Sequence, residues 1–380
     1  MTMALQKALR SARLDSRSPA RWLLVAAMAA GFSVSAFAAD SSTYAPDDFS
    51  RIDKIDTHVH LHGRHLPEFM ARAKTDGFRL LTINVNYSVF PPLRQQLQDA
   101  LALRRDYPDR VAFVTTFDAG GSTTAGWLER TQHQLDTTLQ QGAVGVKVWK
   151  DIGMQQRDPD GKVVMIDDAR FKPIFDSLEK RGVVVLGHLG EPRNAWLPLA
   201  EMTTSGDREY FTANPRYHMA AHPEWPTYEQ QMAARDRLLD RHPNLKFVAL
   251  HLASLEWSVD RIADFLKRYP HASVDLAARL VHLKLQASTN PAKVRQFFVE
   301  HQDRILYATD LTRSLDQQDP AFATEAHTVW LDDWRFLTGD EPLRSAEFAA
   351  PFRGLALPRE VVDKIYSRNA QRMFPGAWKH

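Results

Sequence analysis

Eight strand-length apolar runs alternate with helix-length amphipathic runs, and this alternation limits the possible folds more than any other feature of the sequence. The strand-like runs, rich in β-branched and aromatic residues, cover 52–58, 78–84, 110–117, 142–149, 182–188, 245–251, 272–277 and 304–310. The helix-like runs include 91–106, 167–180, 228–241, 259–268 and 292–300. Alternating strands and helices predict a parallel sheet, and eight repeats predict an α/β fold of the (β/α)8 TIM-barrel type. An open doubly wound sheet is the alternative, but no glycine-rich phosphate turn follows the first strand.

Two connections are longer than ordinary βα loops, at 189–225 and 311–352. Segments of this length are typical of lids and binding loops, so we expect long loops over the C-terminal face of the barrel. The first contains seven rings: Trp196, Tyr210, Phe211, Tyr217, His218, His222 and Trp225. These rings either recognise a substrate or pack the loop against the barrel, and the sequence leaves both interpretations open.

The N-terminus has the pattern of an export signal. Its basic residues precede the apolar run 22–32: Lys7, Arg10, Arg13, Arg17 and Arg21. Small residues at 36–38 then match a cleavage site, which predicts a signal peptide over 1–38, a linker over 39–50 and a barrel over 51–380. An uncleaved anchor is the alternative, because 22–39 carries no charge and is just long enough to span a membrane. The prediction is an exported protein, periplasmic or secreted.

Composition excludes several kinds of site. The 380 residues include no cysteine, so disulfides, thiolate ligands and a cysteine nucleophile are excluded. Any metal site must use histidine, carboxylate or a modified lysine. Removal of residues 1–38 would change the formal charge from +2 to −2, which predicts neither a nucleic-acid surface nor stable membrane association. The expected partner is a small-molecule substrate, and the sequence allows a homo-oligomer.

Possible metal ligands lie at the ends of four predicted strands: His58 and His60 at the first, His188 at the fifth, His251 at the sixth and Asp310 at the eighth. Side chains two residues apart on a strand project to the same side, and the C-terminal ends of barrel strands surround one opening. Three imidazoles and a carboxylate with an open position are sufficient for a catalytic divalent ion. A single buried histidine is more often structural, but convergence from four strands favours a metal site.

Four short motifs at these strand ends resemble the amidohydrolase superfamily: D-T-H-V-H at 56–60, V-L-G-H at 185–188, A-L-H at 249–251 and A-T-D at 308–310. More narrowly, the chain resembles the amidohydrolase-related branch, which includes the aminocarboxymuconate-semialdehyde decarboxylase-like enzymes. K-I-Y at 364–366, N-A at 369–370 and M-F at 373–374 match the closing helix typical of that branch. The resemblance extends from about residue 52 to residue 376.

The resemblance implies a metal-binding set of four residues: His58, His60, His188 and Asp310. The implied cofactor is one divalent ion per protomer, Zn(2+) first and Mn(2+) second. His251 would be a further ligand or, in preference, the group that orients water or polarises the scissile carbonyl. Asp310 would accept a proton from water and return it to the leaving group. Asp56 is expected to support a ligand or the backbone.

Three further residues are candidates for substrate binding. Lys147, in the fourth strand, either bridges two metal ions as a carbamate, as the resemblance allows, or holds a substrate carboxylate as a cation. Trp149 lies on the same face as Lys147 and either stacks on substrate or packs the core. Arg279 follows the seventh strand, where a guanidinium could bind a carboxylate in a bidentate manner, as could Arg193 and Arg313 after strands five and eight.

Three functions follow from this pattern. The first is a metal-dependent hydrolase acting on an ester, lactone or amide-type bond. The second is a metal-dependent non-oxidative decarboxylase of a small carboxylic acid, in which Asp310 protonates carbon. The third is a non-enzymatic protein that binds a metal or ligand on an inherited barrel. Predicted export favours hydrolysis, because polymers, conjugates and xenobiotics are met outside the cytoplasm.

Overall fold

The computed structural model describes residues 43–379, so the predicted signal peptide lies outside the described residues. Within them, one sheet contains nine parallel strands in the order β8-β7-β6-β5-β4-β3-β2-β1-β9. The strands are β1 Lys54–Leu61, β2 Phe78–Ile83, β3 Val111–Thr116, β4 Gly145–Val148, β5 Val184–Gly187, β6 Phe247–Ala249, β7 Ala272–Asp275, β8 Ile305–Leu306 and β9 Leu311–Arg313. From β1 to β8, each strand neighbours the next along the chain. This order excludes a doubly wound sheet, whose strand order reverses at a switch point.

The segment that begins at the strand predicted at 304–310 forms two short strands, of which only β8 lies within the predicted bounds, and this division closes the sheet. Its first piece, β8, pairs with β7, whereas its second piece, β9, pairs with β1. Between the pieces, the Tyr307 carbonyl accepts from Thr57 N–H at 3.0 Å, and Asp310 N–H donates to the His58 carbonyl at 2.8 Å. One continuous segment therefore supplies both edges of the sheet, which confirms the predicted (β/α)8 barrel.

Helices connect the strands: α1 Pro67–Thr75, α2 Leu93–Asp106, α3 Trp127–Gln140, α4 Lys172–Lys180, α5 Ser205–Ala213, α6 Tyr228–Arg241, α7 Val259–Arg268, α8 Leu280–Thr289, α9 Pro291–Glu300, α10 Asp319–Thr338, α11 Arg359–Asp363 and α12 Asn369–Met373. Helix α7 illustrates their origin. The Ser258 hydroxyl caps it by accepting from Arg261 N–H, and its buried residues Val259, Ile262 and Phe265 recur at helical spacing. The predictions for 228–241 and 259–268 match α6 and α7, whereas α8 was not predicted.

The end of the predicted linker packs against the barrel. Residues Pro46–Arg51 form a 3-10 helix whose Phe49 is buried. The Lys54 ammonium, at the start of β1, lies 4.6 Å from the Phe49 ring centroid and 4.9 Å from that of Phe78, and it donates to the Ile52 carbonyl at 2.7 Å. The barrel core therefore includes residues that precede its first strand.

Both long connections contain structure of their own. The connection at 189–225 contains α5 and four short 3-10 helices, around a small apolar cluster that includes Met202, Phe211 and Tyr217. The connection at 311–352 contains β9, the twenty-residue helix α10 and the two-residue strand Pro342–Leu343. Within residues 43–379, no helix is long and apolar enough to cross a membrane.

Candidate metal centre at the mouth of the barrel

Two of the predicted histidines each bond a backbone carbonyl through one ring nitrogen. Nδ1 of His60 lies 2.7 Å from the Ile83 carbonyl oxygen, and Nδ1 of His251 lies 2.9 Å from the Ala277 carbonyl oxygen. Carbonyl oxygens only accept, so Nδ1 carries the proton in both rings. Each ring is thereby fixed with the lone pair of Nε2 available to a ligand.

The free nitrogens converge on Asp310. Nε2 of His58 and Nε2 of His60 each lie 3.2 Å from Oδ1 of Asp310. Among the described residues, His58, His251 and Asp310 form one group whose ligand atoms all lie within 4.8 Å of one another. Strands one, six and eight therefore bring two imidazoles and a carboxylate to a single point, with His60 beside them.

His188 completes the cluster from the end of β5. Its ring centroid lies 4.0 Å from that of His251 and 5.0 Å from that of Trp149. Both nitrogens of His188 and Nε2 of His251 are buried, and they find no hydrogen-bond partner among the described residues. Buried imidazole nitrogens without partners are costly, and a divalent ion would satisfy them. The donor set therefore fits a metal ion.

The ionisation states also suit a metal. Burial lowers the pKa of His58, with a smaller contribution from the Lys147 charge. Burial holds the pKa values of His188 and His251 well below the ordinary value. Burial opposes ionisation of Asp310, but the neighbouring imidazoles outweigh it and hold the pKa of this carboxyl well below its usual range. Neutral imidazoles and an ionised carboxylate are the forms that bind metal.

His251 begins a left-handed turn. Residues 251–254 all have positive φ, from 55° to 61°, although none is glycine. This conformation costs roughly 1–2 kcal/mol per residue, so the surrounding structure must hold it. Ser254 Oγ donates to the Gly190 carbonyl at 2.9 Å, and the Tyr228 hydroxyl donates to the Ser254 carbonyl at 2.5 Å. The turn points the His251 ring back across the end of the barrel, where it meets His58 and His188.

Lys147 lies inside the cluster. Its side chain is fully buried, and its Nζ lies 3.4 Å from Nε2 of His58. Burial lowers the pKa of Lys147 to about 8, against the opposing charges of Asp310 and Asp275. The fourth strand therefore directs an amine toward the cluster, as expected.

Lys150, the residue after Trp149, is buried in the wall of the site. Its ammonium pairs with Glu191 and donates to the Tyr210 hydroxyl at 3.0 Å. The Trp149 and Tyr217 ring centroids lie 5.0 and 4.2 Å from this ammonium. A buried charge is tolerated when it is paired and hydrogen-bonded, as this one is.

Arg279 lines the same cavity and lies between two carboxylates. Its Nη2 lies 3.9 Å from Glu191 and its Nη1 lies 3.7 Å from Asp207, both beyond hydrogen-bond distance. Its Nε finds no partner among the described residues. Asp207 is held on its other side by Asn194 at 2.8 Å and lies 3.2 Å from His282. The guanidinium is thus buried and oriented while part of its donor capacity is unused.

These residues enclose a cavity of about 340 Å³. Both long connections contribute to it. Glu347, from the connection at 311–352, accepts from Gly206 N–H at 2.5 Å and from Ser205 Oγ at 3.2 Å, at the start of α5. We call α5 the lid helix, because its residues Gly206, Asp207 and Tyr210 line the cavity together with Glu347.

Trp149 also lines the cavity, together with Tyr87 and Phe90 from the connection after β2. Arg193 and Arg313 do not, because Arg193 stacks on Trp257 at 4.5 Å and Arg313 donates to the His62 carbonyl at 2.8 Å.

Two buried carboxylates at the site were not predicted from the sequence: Asp275 and Glu191. Asp275 ends β7, and its Oδ2 lies 2.8 Å from Nδ1 of His58. It takes the first of the two roles expected for Asp56, the support of a ligand, whereas Asp56 takes the second, structural role: it accepts from Thr309 and Trp330 and joins β1 to the eighth strand. A carboxylate within the mostly apolar strand predicted at 272–277 was the available signal for Asp275. Glu191 follows His188 by three residues and gave no comparable signal.

The closed parallel barrel and the imidazole–carboxylate cluster at its C-terminal end define a class of barrel proteins with a metal-type site at the mouth. The chain belongs to the amidohydrolase family, whose sequence model matches residues 55–376. The comparison with curated proteins gave no match for this sequence.

Solved structures give low-level similarities. An uncharacterised TIM-barrel protein from Bordetella bronchiseptica is 16% identical, with 86% of this chain and 100% of that chain covered and a TM-score of 0.49. 2,6-Dihydroxybenzoate decarboxylase from Rhizobium is 16% identical, with 85% of this chain and 98% of that chain covered and a TM-score of 0.45. L-hydantoinase (dihydropyrimidinase) from Arthrobacter aurescens is 14% identical, with 86% of this chain and 72% of that chain covered and a TM-score of 0.42. Similarity at this level carries no argument about the reaction.

Proposed function

We propose that this protein is a metal-dependent hydrolase that acts on an ester, lactone or amide-type bond of a small molecule. The observation that carries the proposal is the convergence of Nε2 of His58, Nε2 of His60 and the Asp310 carboxylate within 3.2 Å, beside two imidazoles with unpartnered nitrogens. Membership of the amidohydrolase family supports an enzymatic role.

In this proposal His58, His60, His188 and Asp310 hold one divalent ion, zinc or manganese. The ion would supply Lewis-acid chemistry, lowering the pKa of water to about 7. Asp310 accepts the proton of the attacking water and returns it to the leaving group. His251, whose Nε2 keeps a free lone pair, joins the ligands or accepts a hydrogen bond from the attacking water and so orients it.

We further propose that Lys147, Trp149 and Arg279 bind substrate. All three line the 340 Å³ cavity, which suits a small molecule. The Trp149 ring offers a flat apolar surface, and the two cations suit a carboxylate or another oxyanion. Export of the mature chain, to the periplasm or the medium, is part of the same proposal.

A decarboxylase is the second candidate, and the cationic lining favours it. Lys147 and Arg279 would hold the carboxylate of a small acid, and Asp310, ionised at rest, would take a proton from water, leaving hydroxide, and pass it to the carbon that loses carbon dioxide. The hydrolase and the decarboxylase differ in their products, so one experiment separates them.

The test uses the mature chain purified without added metal. Bound metal is counted per protomer, and the zinc-loaded protein is offered a panel of esters, lactones, amides and aromatic or unsaturated acids. Water uptake without carbon dioxide supports the hydrolase, and carbon dioxide release supports the decarboxylase. Asp310→Asn should lose at least a hundredfold of either activity. A wild-type chain that takes up no zinc or manganese would contradict both.

A further inference from the structure

Asp275 is a buried carboxylate that the proposed reaction does not use. It is 0% exposed at the end of β7. Its Oδ2 lies 2.8 Å from Nδ1 of His58, and its Oδ1 accepts from the His251 backbone N–H at 2.5 Å. One side chain therefore bonds the ring of one site histidine and the backbone of another, which come from strands one and six.

The bond to the ring fixes where His58 carries its proton. An ionised carboxylate only accepts, so the proton between Oδ2 and Nδ1 belongs to the imidazole. Nε2 of His58 is then unprotonated, and it is the nitrogen that faces Asp310 at 3.2 Å. An imidazole binds a metal only through an unprotonated nitrogen, so this hydrogen bond selects the metal-binding tautomer.

The bond to the backbone holds the first residue of the left-handed turn. His251 has φ 58° and ψ 44°, a conformation that non-glycine residues adopt rarely. The acceptor that Asp275 provides keeps the His251 N–H satisfied where the strand ends and the turn begins. Loss of this acceptor would allow the turn to relax and move the His251 ring away from His58.

We infer that Asp275 is a positioning residue that prepares both histidines for a metal ion. This inference rests on the metal site proposed above, and it concerns a residue that touches neither substrate nor metal. Asp275 acts through His58 by setting its tautomer and through His251 by holding its turn.

Asp275→Asn replaces one acceptor oxygen with an NH2 group, which donates, and the side chain keeps its size and shape. The amide oxygen would still accept from His251 N–H, so the amide NH2 would face Nδ1 of His58 and donate to it. The His58 proton would then move to Nε2, the nitrogen that the metal needs. We expect zinc affinity to fall 10- to 100-fold, the range for lost support of a metal-binding histidine.

The experiment measures zinc affinity of the full-length protein by competition with a chromogenic chelator. Asp333→Asn is the matched control, because Asp333 is also buried and accepts two hydrogen bonds, from Lys284 at 2.8 Å and Tyr307 at 3.1 Å, but does not line the cavity. Weaker binding by Asp275→Asn with unchanged binding by Asp333→Asn supports the inference. Equal affinity of Asp275→Asn and wild type overturns it.

A second measurement does not depend on metal or on the folding of a variant. Long-range ¹H–¹⁵N spectra of the metal-free wild-type protein report which nitrogen of each histidine is protonated. The inference requires His58 to carry its proton on Nδ1, and protonation on Nε2 would overturn it. A wild-type protein that binds no zinc would contradict the proposed function. The spectra would still show whether Asp275 sets the tautomer of His58.

Discussion

Nζ of Lys147 lies 3.4 Å from Nε2 of His58, at the centre of the barrel mouth. Nδ1 of His58 already bonds Asp275, so Nε2 is the acceptor for the lysine ammonium. A metal ion at the proposed site would use the same lone pair. The ammonium and the metal ion therefore compete for one nitrogen, and Lys147 influences both stability and metal binding.

Lys147→Met should stabilise the metal-free protein at pH 7. Burial lowers the pKa of Lys147 from 10.5 to about 8. Below pH 8 the folded protein therefore contains a buried, protonated Lys147, which lowers the free energy of unfolding. Between pH 8 and 10.5 the unfolded chain binds more protons at this position, and wild-type stability rises with pH. We expect a gain of roughly 3 kcal/mol at pH 7 that disappears toward pH 10.5, measured by urea unfolding. Loss of bound zinc in this variant would instead indicate a carbamate.

Lys150→Met should have the opposite effect. Lys150 pairs with Glu191, and both side chains are buried, at 3% and 1% exposure. Removal of the ammonium leaves a buried carboxylate without its partner, which typically costs about 3–5 kcal/mol. The same urea unfolding series provides the comparison with Lys147→Met. Wild-type stability in this variant would mean that Glu191 is compensated by Arg279, 3.9 Å away.

Glu347→Ala should loosen the lid helix. Its carboxylate accepts from Gly206 N–H and Ser205 Oγ, which fastens one long connection to the other. Loss of a charged hydrogen bond should lower the free energy of local opening by about 1.4 kcal/mol, which corresponds to roughly tenfold faster exchange of the lid-helix amides. Hydrogen-exchange mass spectrometry measures this rate. Glu341→Ala is the control, because Glu341 lies on the same connection but pairs with Arg335 at 3.2 Å. Equal exchange in the two variants would contradict this role for Glu347.

The sequence predicted the barrel because its helices and strands carry local signals. Helix α7 has a serine cap and a regular apolar stripe, so its bounds were predicted correctly. The division of the eighth strand had no local signal. Asp310 has φ 67° because its backbone N–H bonds His58 on β1, and that contact exists only once the barrel closes.

The candidate site was predictable where its residues end strands, and not where loops complete it. His58, His188, His251 and Asp310 each end a predicted strand, whereas Asp275 lies two residues before the end of the strand predicted at 272–277. Glu347 could not be found this way. Glu347 contacts the lid helix because the connection at 311–352, which includes a twenty-residue helix, passes beside that helix. No residue pattern near Glu347 predicts this contact.

Zinc should stabilise the wild-type protein, and the effect should depend on His188. A ligand at a hundred times its Kd adds about 2.7 kcal/mol to stability, so added zinc should raise Tm by several degrees and a chelator should reverse it. His188→Ala removes a ring whose nitrogens have no partner among the described residues, so its Tm should not respond to zinc. His62→Ala is the matched control: His62 is equally buried and unpartnered in that part of the chain, packs on Phe90 at 4.5 Å and does not line the cavity. A zinc response lost in both variants would indicate damage to the fold.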